Sequence, residues 1–437
     1  MFVTLVGGNL RVVIRLAAVA LLALSLFGVA CTPETSTSQG ELGSAARQPP
    51  PEPTVDIADL SAQPNLVIAP TPIPDGPRPI VVATIMGESG VLETLDGAAL
   101  AGVIAEIERL NDNGGLLGRP IELRQFDNNS RVSLTERLVE RFADSPPDLV
   151  VVSCDTDVSQ GALDFADENG LLTISPCASD VRYLTGGLGS MNYTMGSLSE
   201  SQGAVAAQQA FERYGATSIV LRDVTSPEAI AFCDGFERTF RELGGSVIYR
   251  DEFSYDTLEP LEDRLAERGG QSSFITVCSH VPGGLDGAPA IIEILRSLGF
   301  QAPIVGGATL DRPGWFATVP TLGELMFVSW SSTFGNDPED RVNDLIRSVQ
   351  QSNGPPAGGP TILGAETIEA WARAVESAGD ATPSRVANAL ASFNNESFTT
   401  GNITFSTGAR MDLGRTYRVM RVFDGELSVI AIEETED

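Results

Sequence analysis

Apolar positions along this chain follow two rhythms, unbroken runs and runs at helical spacing, and they take turns. "PIVVATIM" (Pro79 to Met86) is a continuous apolar run closed by Gly87, the pattern of a strand covered on both faces. In the following "LDGAALAGVIAEIERLNDNGG", Leu100, Val103, Ile104, Ile107 and Leu110 recur at helical spacing, and Gly114 can close the helix in a left-handed turn. "RPIELRQFD" then predicts a strand, 133–142 a helix, "DLVVVS" a strand and, after a further helix, "LLTIS" a fourth strand. Strictly alternating strands and helices predict an α/β fold with a parallel sheet covered on both sides.

A second set begins near Ser199. Helix "SQGAVAAQQAFERYG" leads to strand "SIVLRD", helix "EAIAFCDGFERTFRELGG", strand "SVIYRDEF", a helix over 258–268, strand "SFITVCS", helix "APAIIEILRSLG" and strand "PIVGG". A helix, Gly-Gly, strand junction occurs in both sets, at Gly114-Gly115 and Gly244-Gly245, so two similar lobes in tandem are predicted. Beyond them, "GELMFVSWSS" reads as a strand and "AETIEAWARAVESAG" as a helix. "NITFSTGAR" and "TYRVMRVFDGELSVI" read as terminal strands with a turn at Asp424-Gly425. These pieces are too few for a third domain and are expected to complete the two lobes, with the chain crossing between them more than once. The expected boundaries are 79–197 plus 327–402 for lobe one and 198–326 plus 403–432 for lobe two.

The start of the chain has a different texture. Arg11 and Arg15 precede "LAAVALLALSLFGVA", Leu16 to Ala30, an apolar run of about fifteen residues, too short for a comfortable membrane span but suited to a secretory signal. Small residues Gly28 and Ala30 stand before Cys31, an arrangement that resembles a bacterial lipobox. The expectation is a signal peptide over 1–30 and a lipidated Cys31 that anchors the protein outside the cell membrane; the alternative is an ordinary signal peptide cut nearby. Residues 31–78, with "QPPPEP" and "APTPIPDGPRP", read as a disordered tether.

Composition narrows the chemistry. The 437 residues carry a net charge of −30, and all 28 basic residues are arginine. Without lysine there is no P-loop lysine, no Schiff-base lysine and no polylysine face, and the acidity argues against nucleic acid or an anionic membrane as partner. His280 is the single histidine, which leaves Ser-His-Asp chemistry and multi-histidine metal sites hard to build. "GESGV" misses the G-x-S-x-G elbow by one position, and "GGLGS" lacks the third glycine of a dinucleotide fingerprint. No enzyme activity, cofactor or metal is expected. Besides Cys31 there are Cys154, Cys177, Cys233 and Cys278, an even set with no zinc spacing, so two disulfides are expected, in one of three pairings.

What remains is a set of polar loops at the carboxyl ends of predicted strands, where open α/β sheets bind ligands. They carry Ser89 after the first strand, Asp155 and Thr156 in "SCDTDVSQ", and Ala178 and Ser179 in "SPCASD". The second lobe offers Ser226 in "RDVTSPEA", Ser279 in "CSHVPGG" and Asp311 in "GGATLDRPG". Hydroxyls and helix-start amides suit a small polar solute. For Ser226 and Ser199 the plain alternative is helix capping. His280 is either a hydrogen-bonder to ligand or a strand-end residue facing water.

"VVATIMGESGVLETLDGAALAGVIAEIERLNDNGGLLGRPIELRQFDN", "LLTISPCASD" and the closing "YRVMRVFDGEL" together resemble the type I periplasmic solute-binding proteins of the leucine/isoleucine/valine-binding branch, over about Pro79 to Ile432. The resemblance implies two Rossmann-like lobes joined by three hinge crossovers, closing on a solute that is delivered to an ABC permease. It further implies that a ligand carboxylate meets the loops at Asp155–Thr156 and Ala178–Ser179, Asp155 having to turn aside. The family's ammonium-pairing acid falls at Ala308, with Asp311 the nearest carboxylate, and its pocket aromatic falls near Leu95. These departures leave an amino acid, a related amide or another small organic solute open. Disulfides within lobes, Cys154 with Cys177 and Cys233 with Cys278, are expected, because a bridge across lobes would oppose hinge closure. The protein is expected to act as a monomer; a sensing module that signals to a membrane partner without transport is the alternative function.

Overall fold

The computed structural model describes residues 67–68, 77–254, 258–268, 271–279, 287–311, 316, 319, 322–352, 358–412 and 414–434. The expected signal peptide, Cys31, almost all of the expected tether and His280 lie outside the described residues.

The first lobe is laid down as β1 (Val67–Ile68), β2 (Ile80–Met86), α1 (Glu93–Asp112), β3 (Ile121–Asp127), α2 (Val132–Glu140), β4 (Leu149–Val152), α3 (Thr156–Asn169), β5 (Thr173–Ser175), α4 (Arg182–Thr185) and β6 (Asn192–Thr194). Its sheet runs β1-β3-β2-β4-β5-β6, parallel except for β1. The second lobe follows as α5 (Ser199–Tyr214), β7 (Thr217–Asp223), α6 (Pro227–Glu242), β8 (Ser246–Phe253), α7 (Glu259–Arg268), β9 (Phe274–Cys278), α8 (Ala288–Ser297), β10 (Ile304–Gly306) and β11 (Leu325–Ser329). The chain then adds α9 (Asp340–Ser352), α10 (Pro360–Ala378), α11 (Pro383–Leu390), a two-stranded ribbon β12 (Glu396–Ser397) and β13 (Asn402–Ile403), and the pair β14 (Thr416–Phe423) and β15 (Glu426–Glu434). The second sheet runs β15-β14-β11-β10-β9-β7-β8.

The parallel strands have one order in both sheets: the second strand stands outside the first, and the third, fourth and fifth follow on its other side. Each sheet therefore has one point where the order reverses, beside β2 in the first lobe and beside β7 in the second. The continuous apolar runs explain why the inner strands are inner: β2, β4 and β9 are buried at every position. The mixed sequences of β8 and β15 instead alternate toward solvent and lie at the two edges of the second sheet.

The lobes also share a packing device. Against α1, α10 approaches so closely that a Cβ on Gly102 would sit 1.8 Å from the Thr361 carbonyl oxygen, and one on Gly364 1.9 Å from that of Ala99. Between α5 and α6 the same reciprocal contact is made by Gly203 on Phe232 and Gly235 on Glu200, each at 2.1 Å. No residue with a side chain fits at these four positions without moving a helix.

Two expected boundaries are corrected. The division at 326/327 falls inside β11, which lies wholly in the second sheet, parallel to β10 and antiparallel to β14; its buried LMFVS run needs strands on both sides. Asn402–Ile403 does not start the terminal pair but closes on Glu396–Ser397. The chain after it stays with lobe one: the Thr194 amide donates to the Arg410 carbonyl at 2.9 Å, and the Arg410 amide to that of Tyr183 at 2.9 Å. The third crossover therefore lies between Asp412 and Thr416, while the other two follow β6 and β11. The terminal pair turns at Asp424-Gly425, as expected from the sequence.

Candidate functional site

Both reversal points open toward one cavity with an empty volume of about 940 Å³, part of it open to solvent. Lobe one supplies Leu92, Leu95, Cys154, Asp155, Cys177 and Ser179; lobe two supplies Ser199, Gln202, Glu228, Phe232, Ser279, Ala308, Thr309 and Asp311. Trp330, from the second connection, and Pro360, at the start of α10, also line it. An adjoining cleft shares Asp155, Ser179, Ser199 and Glu228 and adds Thr156 and Ser226.

The lobe-one wall is fixed from beneath by Asp96. Fully buried on α1, its carboxylate accepts the Gly87 amide at 2.7 Å and the Cys154 amide at 2.9 Å, fastening the ends of β2 and β4 to the helix that presents Leu92 and Leu95. Burial pushes the Asp96 carboxyl upward, while these amides oppose the shift. Asp155 is turned aside: its carboxylate caps α3 by accepting the Val158 amide at 2.9 Å. The expected repulsion of an anion at this loop is thereby moderated, and the start of α3 stays oriented toward the cleft. Across the opening, the Ser199 amide donates to the Ser179 hydroxyl at 3.0 Å, so the two lobes already touch at their serines.

Asp311 is 1% exposed and accepts the hydroxyls of Ser329, at 2.5 Å, and Thr333, at 3.3 Å. It lines the cavity wall together with Ala308, whose carbonyl accepts the Asp311 amide at 3.0 Å. Ser279 and Thr309 are linked, the Thr309 hydroxyl donating to the Ser279 carbonyl at 2.7 Å.

The sequence-predicted residues divide into three groups. Asp155, Ser179, Ser279 and Asp311 line the cavity, and Thr156 and Ser226 line the adjoining cleft. Ser226 also serves the plainer role, capping α6 by accepting the Ala229 amide at 3.3 Å. Ser89 and Ala178 are in neither lining. The Ser89 hydroxyl is taken by Asp127, at 2.5 Å, and by Asn129, at 2.6 Å. Ala178 is completely buried beneath the first crossover, where its carbonyl accepts the Thr194 hydroxyl at 2.9 Å. Ser199 does not cap α5; the capping position is Leu198.

Sequence reading missed Phe232, Trp330, Gln202 and Glu228. The aromatic walls are Phe232 and Trp330, and Leu95, at the position where the resemblance places the family's aromatic, lines the cavity as an aliphatic residue. Phe232 stands at helical spacing on α6 and reads as core, and Trp330 closes an apolar strand. The disulfides join Cys154 to Cys177 and Cys233 to Cys278, with Cα atoms 4.8 and 5.7 Å apart, the within-lobe pairing.

Behind Ser89, burial and the neighbouring Asp127 carboxylate hold the Glu88 carboxyl up at about 7. Its stabilising contribution is full below the unfolded carboxyl value and lost as pH rises through 7. Glu88→Gln is expected to lie close to wild type in folding stability at pH 5 and to exceed it at pH 8, by about 1–2 kcal/mol after discounting for exposure. Calorimetry at the two pH values checks this; an equal offset at both would contradict it.

Two doubly wound lobes, one cavity facing both reversal points and three crossovers define a two-lobed clamshell binding protein. The chain belongs to the periplasmic binding protein family, a solute-binding and non-enzymatic family whose profile matches residues 79–426. The Leu/Ile/Val-binding protein homolog 1 of Brucella abortus (strain 2308) is 24% identical over 298 residues, covering 66% of this chain and 76% of that one. The leucine-, isoleucine-, valine-, threonine- and alanine-binding protein of Pseudomonas aeruginosa is 23% identical over 308 residues, covering 70% and 80%. In three dimensions the fold is similar to the branched-chain amino acid transporter substrate-binding protein LivJ of Streptococcus pneumoniae in complex with isoleucine. The TM-score is 0.67 at 20% identity, over 82% of this chain and 99% of that one. It is equally similar to a solute-binding protein of an ABC transporter from Rhodopseudomonas palustris BisB5 in complex with 3,4-dihydroxybenzoic acid, with TM-score 0.69 at 14% identity, over 82% and 98%. None of the described helices is long and apolar enough to cross a membrane.

Proposed function

We propose that this protein is the extracytoplasmic substrate-binding component of an ABC importer, taking up a small amino acid or a related amide by clamshell closure. The observation that carries the reading is a cavity built from both lobes at their reversal points, since a solute held there gains contacts to both walls only in the closed form. Within the family fold the solutes named for similar proteins divide into small neutral amino acids, most of them branched-chain, and aromatic acids. The carboxylates of Glu228 and Asp311 in this wall favour a solute that carries an ammonium group, which supports the amino acid side. The partner is a membrane permease, and the two disulfides suit an oxidising exterior. A lipid on Cys31, with 31–78 as tether, would hold the binding unit at the membrane.

Thermal unfolding against leucine, isoleucine, valine, threonine, alanine, their amides, benzoate and 4-hydroxybenzoate tests the reading. A cognate solute at a hundred times its Kd stabilises the folded state by about 2.7 kcal/mol. A response to benzoates alone would overturn the amino acid assignment, and silence across the panel would count against both classes.

A further inference from the structure

Residues from the first crossover, from the start of the second and from the strand that the third enters meet at a single hydroxyl. Ser197 lies in the first crossover, 1% exposed; Trp330 opens the second, directly after β11; Tyr417, fully buried, stands where the third enters β14. The Trp330 indole N–H donates to the Ser197 Oγ at 3.1 Å, and the Tyr417 hydroxyl donates to the same oxygen at 2.7 Å. These segments are otherwise far apart in sequence, by 133 residues from Ser197 to Trp330 and 220 from Ser197 to Tyr417. Trp330 has a second surface: its ring forms part of the cavity wall, with Gly359 against it so tightly that a Cβ there would approach the ring to 2.9 Å. A residue touching both the cavity and the point where all crossovers meet can pass a change at one to the other.

We propose that Ser197, Trp330 and Tyr417 are positioning residues that couple occupancy of the cavity to the hinge, with the Ser197 hydroxyl setting the angle of all three crossovers at once. This inference rests on the clamshell reading above. A solute pressing on the Trp330 ring shifts the indole N–H, and Ser197 and Tyr417 follow because a buried donor left without its acceptor is costly. The equilibrium between open and closed forms is then set partly by residues that never touch the solute.

Hydrogen exchange of the solute-free full chain provides the first test. Ser197→Ala and Tyr417→Phe are each expected to raise amide exchange about tenfold in all three crossovers together, near 195–198, 330–333 and 414–417. Trp330→Phe, which keeps an aromatic wall but removes the N–H, is expected to do the same, and the Ser197→Ala/Tyr417→Phe double variant to exceed neither single one greatly. Tyr193→Phe is the control: it removes a buried hydroxyl bond of similar quality, 2.8 Å to the Ala387 carbonyl, made within lobe one and not to the shared Ser197 hydroxyl. Each variant loosening only its own crossover, or the control loosening all three, would overturn the proposal.

The second arm is calorimetric titration with isoleucine. Tyr417→Phe is expected to change Kd at least about fivefold, Tyr193→Phe to leave it unchanged. Unchanged affinity in Tyr417→Phe beside normal wild-type binding also overturns the coupling. Failure of wild type to bind isoleucine counts against the amino acid reading only, and the exchange experiment then decides the hinge.

Discussion

Glu366→Gln is expected to destabilise the folded protein by about 3–5 kcal/mol, close to the whole stability of many domains. Glu366 is fully buried on α10, and one carboxylate oxygen is paired with the Arg415 guanidinium, itself 1% exposed just before β14. The other oxygen accepts the Thr400 amide at 2.9 Å and the Thr400 hydroxyl at 2.7 Å. Glutamine preserves the shape but either turns N–H groups against the guanidinium or abandons Thr400. It also strands a cation whose Nε and Nη1 have no hydrogen-bond partner of their own. The decisive comparison is Glu366→Leu with Arg415→Met in one chain. Removing both charges leaves neither member of the pair stranded, and the buried Asp412 beside them, which loses the Arg415 cation, keeps the Thr404 and Gly414 amides, so the double variant is expected to recover part of the loss in urea denaturation. A double variant as unstable as the single one would show that packing, not the unpaired charge, dominates. Because α10 belongs to the first lobe and β14 to the second, this pair clamps the third crossover beside Asp337 and Arg418, another buried pair.

Such pairs were invisible to pattern reading, and the reason is general to this fold. Continuous apolar runs such as Ile80–Met86 and Leu149–Val152 announce strands buried on both faces, so the alternating order of each lobe was legible from residue types alone. The loops at strand ends were legible too, because topology dictates where ligands enter; Asp155, Ser179, Ser279 and Asp311 reached the cavity on that ground. Within a loop, however, direction is decided by competing partners. Ser89 lost to Asp127 and Asn129, and Ala178 to the crossover above it. The strand Asn192–Thr194 is three residues long and mostly polar, with no periodicity to read, and the boundary at 326/327 failed because nothing local says which neighbour a buried strand chooses. Glu366 and Arg415 are 49 residues apart, and their meeting depends on both lobes being assembled.

The two disulfides separate what stability and binding each require, and the expected result is a split. Replacing Cys154 and Cys177 by serine opens a 23-residue separation, and replacing Cys233 and Cys278 opens one of 45. Loop-closure entropy makes these worth roughly 3.5 and about 4 kcal/mol, so the second pair is expected to cost slightly more in urea denaturation. Binding should rank them the other way. Cys154 and Cys177 both line the cavity and clamp the loops that carry Asp155 and Ser179, whereas Cys233 and Cys278 are wholly buried between α6 and β9 and are absent from the lining. With the first bridge gone, both wall segments must be ordered by the solute itself, and affinity for whichever solute stabilises wild type is expected to fall about tenfold. With the second gone, the neighbouring wall residues Phe232 and Ser279 are still carried by α6 and by the end of β9, so the surviving folded molecules should lose less affinity than after loss of the first bridge, once affinity is corrected for the unfolded fraction. Titration calorimetry below the unfolding transition of each variant checks the split. Equal losses of affinity would mean that the lobe-one bridge stabilises the fold without holding the site.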